Sequence, residues 1–221
     1  MANRSQTASA LALRWGWFTD ENERQTAAQT LREIIADNDY LVGTGFAGTP
    51  ELAGALHSIN AIDDFYRMSL RTRVPSWLYQ IVQNATTTWE RWDSLLTNGT
   101  INPGGMTSFN HYVFEVFAKD MHQFIGGRSA AELGWKSINV APYPGGNIMS
   151  AEARFVSPCG EVKSRQWIES GNMQAEKHRD GFHLTVWDSP NTRAKVTMPR
   201  SEEVIEIGSG YYEFHDFTYA A

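Results

Sequence analysis

The sequence predicts an α+β chain of two domains: paired helices over residues 1–130, then a small antiparallel β-sandwich over residues 131–221. Three observations lead there. Apolar residues recur at helical spacing to about residue 126, the spacing switches to two from about residue 135, and turn residues then punctuate the chain at short, regular intervals.

In the first part, Ala8, Leu11, Ala12 and Trp15 fall at i, i+3, i+4 and i+7, one face of a helix. Thr19 can cap a second helix, whose Asp20, Glu21 and Glu23 favour its positive end and whose apolar stripe is Ala27, Leu31, Ile34 and Ile35. Thr49-Pro50 reads as an N-cap followed by proline at the first helical position, with Leu52, Ala55 and Leu56 inward. Ile62, Phe65, Tyr66 and Ser69 continue the pattern, and a short helix runs from Ser76 through Val82. The last predicted helix runs from Ser108 to Ile125, where Phe109, Val113, Val116, Phe117, Asp120 and Phe124 line up. That makes about six helices. Strands follow at 137–140, 151–156, 161–169, 182–187, 194–198, 204–207 and 211–217, separated by turns such as Pro144-Gly145-Gly146 and Ser157-Pro158-Cys159-Gly160.

Composition excludes several classes. A net charge of −6 with no long basic run argues against a nucleic-acid partner. The single cysteine, Cys159, excludes an internal disulfide framework and a cysteine-rich zinc site. No apolar run of about 18 residues is present to span a membrane. The polar start, Met1 to Thr7, lacks the apolar centre of a secretory signal, and the compartment is not legible. The histidines show no spacing with carboxylates that demands a metal, no Gly-x-Ser-x-Gly elbow occurs, and nothing calls for a cofactor.

Two glycine-marked segments interrupt the helices. Residues 42–49, Val-Gly-Thr-Gly-Phe-Ala-Gly-Thr, read as a tight turn before a helix, without the Gly-Lys-Ser/Thr ending of a phosphate cradle. Residues 84–107 form a long irregular stretch that contains Trp89-Glu90-Arg91-Trp92-Asp93. Loops of that length in compact domains are commonly functional. Indole faces stack on the C–H faces of sugars and carboxylates perform acid–base work on glycosidic bonds, so this cluster points to a carbohydrate. Glu90 is the candidate base, and Asp93 a second carboxylate of unknown direction. His111 follows at the start of the last predicted helix, where the helix end favours a neutral imidazole able to bond a hydroxyl. Trp77, Trp89 and Trp92 read equally as stacking platforms or as core rings.

Four motifs then occur in order: Thr44-Gly45-Phe46-Ala47-Gly48-Thr49-Pro50, Pro75-Ser76-Trp77-Leu78-Tyr79, residues 85–92 (Ala-Thr-Thr-Thr-Trp-Glu-Arg-Trp) and Ser108-Phe109-Asn110-His111-Tyr112. With Pro142-Tyr143-Pro144-Gly145-Gly146 and Ser157-Pro158-Cys159-Gly160 behind them, the chain resembles glycoside hydrolase family 78, the α-L-rhamnosidases, over essentially its whole length. The resemblance implies an (α/α)6 toroid followed by a β-sandwich, and hydrolysis of terminal α-L-rhamnosides with inversion. It implies Glu90 as the general base and His111 as a sugar contact; beside them, the loop's own residues Trp89, Trp92 and Arg91 are candidate substrate-binding neighbours. An inverting pair stands about 6.5–9.5 Å apart with water between, and Arg91 beside Glu90 would help keep it ionised.

The chain departs from the family in one large respect. The acidic segment that carries the family's general acid is missing, and about six helices make only part of a toroid. The expectation is therefore the C-terminal half of a catalytic barrel plus its β-domain. Three outcomes compete: an enzyme completed by other sequence, a rhamnose-binding remnant that does not cleave, or a half-barrel that associates with itself or a partner through its incomplete face.

Overall fold

The computed structural model describes residues 4–169 and 181–219, which form two compact units, Met1–Phe117 and Ala118–Ala221.

In the first unit, helix α1 (Gln6–Trp15) starts where the Ser5 side chain accepts from Ala8 N and stops at left-handed Gly16. Helix α2 (Glu21–Asp37) is capped one residue later than Thr19 predicts. Asp20 accepts from Glu23 N, while Glu23 Oε2 accepts from Thr19 N at 2.9 Å, just ahead of the cap. Helix α3 (Thr49–Ser58) begins on Thr49 itself, after Gly48, and α4 (Ile62–Ser69) follows. Helix α5 (Trp77–Val82) is capped by Ser76, which accepts from Tyr79 N. Leu31, Ile35, Leu52, Leu56, Phe65 and Met68 are fully buried between these helices. Each such side chain contributes about 1.5–3 kcal/mol relative to an exposed one. Gly48 permits the loop before α3 to press on α1, because a Cβ there would stand 2.7 Å from Thr7 Oγ1.

The predicted helix over 108–125 is a correction. It is a 3₁₀ turn (Val113–Glu115), a short helix α6 (Val116–Asp120) and a π-turn (Met121–Ile125), and nothing helical precedes Val113. Residues 108–111 are kept out of the helix because they bond to residues 87–90 instead.

The second unit has β1 (Arg128–Ala130), β2 (Ser137–Val140), β3 (Ser150–Ser157), β4 (Gly160–Glu169), β5 (Gly181–Asp188), β6 (Arg193–Thr197), β7 (Val204–Ile207) and β8 (Gly210–Asp216). They form two four-stranded sheets, β1-β2-β6-β7 and β3-β4-β5-β8. All seven predicted strands are present. The three-residue β1 is additional, too short for its alternation to register, and β2 runs parallel to β6, while the other pairs among the described residues are antiparallel. Ile138, Val140, Val162, Phe182, Leu184, Val186, Ala194 and Val196, from strands of both sheets, share one core, which makes the unit a sandwich. No helix among the described residues is long and apolar enough to cross a membrane.

Candidate functional site

Two stretches of main chain build the site. Glu90 N donates to Ser108 O at 2.9 Å, and Ser108 N donates back to Glu90 Oε2 at 3.0 Å. Alongside, His111 N donates to Thr88 O at 2.8 Å and Thr87 Oγ1 to Phe109 O. The half-buried Glu90 thus has one carboxylate oxygen fixed by a main-chain donor. Among the described residues its other oxygen accepts no hydrogen bond. A carboxylate held by one oxygen and open at the other has the form a general base requires.

His111 stands next to it, stacked on Phe46 (centroids 4.8 Å, planes at 7°) and on Tyr112 (5.3 Å, 10°). Its Nδ1 accepts from Val113 N at 3.4 Å, which assigns the donor proton to Nε2. Phe46 is 37% and Tyr112 76% exposed, so this three-ring ladder opens to solvent. Neither Phe46 nor Tyr112 stood out in the sequence. The available signal was a large aromatic inside the glycine loop, set aside there as a plain turn.

That loop has a second task. Trp92 Nε1 donates to Thr44 O at 2.9 Å, and the Trp92 ring stacks on Phe114 at 4.0 Å with Trp77 edge-on at 5.3 Å. Thr44 and Thr49 hydroxyls bond each other at 2.8 Å and fix the loop's two ends. Trp89 takes the core alternative of the two that the sequence left open. It is 3% exposed, packed edge-on to Tyr79 and Phe109, with Gln80 Oε1 accepting from its main-chain N, so neither face is free to stack on a sugar.

Arg91 spends its guanidinium on the neighbouring loop. Nε and Nη2 clamp the Asp93 carboxylate at 3.0 and 3.2 Å, and Asn102 Nδ2 adds a third bond to Asp93 at 2.8 Å. Asp93 therefore has both oxygens engaged and is a loop anchor. Gly104 wraps against the same guanidinium, where a Cβ would stand 2.6 Å from Nη1. Beneath, the Tyr79 hydroxyl donates to Leu95 O, and burial, then the Asp93 charge, push its phenol upward. Among the described residues no group of three or more His, Cys, Asp and Glu side chains is placed to hold a metal ion.

Residues 1–125 match the model of the bacterial alpha-L-rhamnosidase 6 hairpin glycosidase domain, and residues 127–213 that of the bacterial alpha-L-rhamnosidase C-terminal domain. The chain belongs to the bacterial α-L-rhamnosidase family. Among curated relatives, an alpha-L-rhamnosidase of Formosa agariphila is 36% identical over 195 residues, covering 88% of this chain and 20% of its own length. One from Streptomyces avermitilis is 34% identical over 228 residues, 95% of this chain and 21% of its own. The crystal structure of native alpha-L-rhamnosidase from Aspergillus terreus superposes with a TM-score of 0.91 at 47% identity, covering 97% of this chain and 24% of that one. The S. avermitilis enzyme complexed with L-rhamnose gives 0.86 at 33% identity, over 96% and 22%. This family member thus spans about a fifth of the curated relatives it matches and about a quarter of the solved ones.

Proposed function

We propose that the chain supplies the general-base side of an inverting α-L-rhamnosidase that hydrolyses terminal α-L-rhamnosides, with Glu90 as the base. The observation that carries this reading is the Glu90 carboxylate, held through Oε2 by Ser108 N and open at its other oxygen. Water on that side loses a proton to Glu90 as its oxygen attacks the anomeric carbon. The glycosidic bond breaks with its electron pair leaving on the departing oxygen, which takes a proton from a general acid. His111 Nε2 donates to a sugar hydroxyl, on the ladder with Phe46 and Tyr112. Trp92 backs the pocket, Trp89 supports it from the core, and Arg91 fixes the loop through Asp93.

Asp93 is unsuited to be the acid, since Arg91 and Asn102 occupy both of its carboxylate oxygens. The acid is accordingly assigned to sequence outside these residues, in keeping with the small share of the relatives' length that the chain covers.

The test is rhamnose release from an aryl α-L-rhamnoside by the chain joined to that remaining sequence, with the first-formed anomer followed by NMR. Glu90→Gln is expected to lower the rate by at least about 10²-fold. Near-full activity in that variant, or retention of configuration, removes Glu90 from the role.

A further inference from the structure

We infer that the β-sandwich unit carries a second binding site, for a ring-bearing organic carboxylate, in the cavity beside Arg128. This site is independent of the proposed catalysis. The cavity holds about 340 Å³, within the range of small-molecule pockets. Its lining includes Lys119, His122, Arg128, Trp135, Arg154 and Phe155, and none of its lining residues is acidic.

Arg128 carries the argument. It is 3% exposed, and Nη1 donates to Val162 O. Nε and Nη2 are buried and have no hydrogen-bond partner among the described residues. Those two nitrogens form the edge of a guanidinium that receives a carboxylate side-on, through two parallel bonds. An uncompensated buried cation is costly, and burial lowers this guanidinium to about 10, which leaves it charged at neutral pH. Nearby charges do not meet the need. Glu161 acts on Arg128 only through space, because its carboxylate is bonded to Arg154 at 2.7 Å, and Lys119 is paired with Asp120 at 3.4 Å.

The walls specify what bears the carboxylate. Trp135 and Phe155 stack on each other at 4.3 Å, a flat apolar surface beside the cationic group. Such a pair suits a planar or ring-shaped body, aromatic or sugar, with the acid group directed at Arg128.

The purified chain is titrated at constant ionic strength with benzoate, glucuronate and acetate, following tryptophan fluorescence and the thermal midpoint. Saturable binding of benzoate or glucuronate, with a raised midpoint, is expected, and the tighter of the two identifies an aromatic acid or a uronic acid as the class. Arg128→Met is expected to weaken binding by about tenfold or more. Because Arg128 is buried, the exposed Arg154→Gln serves as a second variant. It frees Glu161 to compete for the Arg128 charge and is expected to weaken binding about threefold or more with the midpoint of the unliganded chain retained. Three results overturn the proposal: no saturation by either ring acid, acetate binding as tightly as they do, or unchanged affinity in a folded Arg128→Met or Arg154→Gln chain.

Discussion

His111 is held from two faces and at one nitrogen, by Phe46, Tyr112 and Val113 N, so its imidazole plane is set before any ligand arrives. In the completed enzyme, Phe46→Leu is expected to raise KM about 3- to 10-fold with a smaller loss in kcat, and Phe46→Tyr to restore most of it. Steady-state kinetics on an aryl rhamnoside check this. A different residue supplies a stability test. Burial raises the Asp188 carboxyl above its usual range, against the opposing bond from Thr192 Oγ1 at 2.6 Å. A raised folded pKa means the native state holds the proton more tightly, so its contribution is present at low pH and is lost as pH rises through that value. Asp188→Asn should therefore raise the midpoint of the β-sandwich at pH 7 and lose that advantage near pH 3, as read by thermal melts at both. Glu90 and His111 came forward as candidates at this scale because carboxylate and imidazole side chains carry acid–base and hydrogen-bonding chemistry of their own. Ser108 did not, because what it gives Glu90 is a main-chain N–H, which every residue except proline possesses.

The loop over residues 91–107 is an element with its own internal supports. Arg91, Asp93 and Asn102 form its base, buried Ser94 bonds Arg91 N through Oγ, and Leu95 pairs with Ile101 across a short antiparallel bridge. Asp93→Ala removes three bonds at once. It is expected to speed amide exchange over residues 94–102 by about tenfold while α2 and α3 keep their protection, as hydrogen exchange would report. Helices α1 to α5 were readable because their apolar stripes and caps are local. The stretch from Ser108 was misread for the converse reason. Phe109, Val113, Val116 and Phe117 have a helical period, but residues 108–111 bond to residues 87–90, a long-range choice that periodicity does not encode. The sandwich was legible in its strands but not in its parallel pair, since β2 and β6 meet far from each other in sequence.

Taken whole, the chain offers one proposed base, Glu90, one ordered imidazole and no assigned acid, over about a fifth of the length of its curated relatives. The purified chain alone is expected to release rhamnose at no more than about 1% of the rate obtained once the remaining sequence is supplied, because loss of an acid–base partner costs on the order of 10²–10⁴. Comparable rates with and without it would place the acid within these residues. The loop over 91–107 leaves the Glu90 ladder and returns to it at Ser108, so its two ends are tied together at the base. A segment anchored in that manner can be lengthened, shortened or exchanged at modest entropic cost without shifting the chemistry it borders. Exchange of residues 95–101 is therefore expected to leave the Glu90–Ser108 pairing, and the chemistry proposed for it, in place.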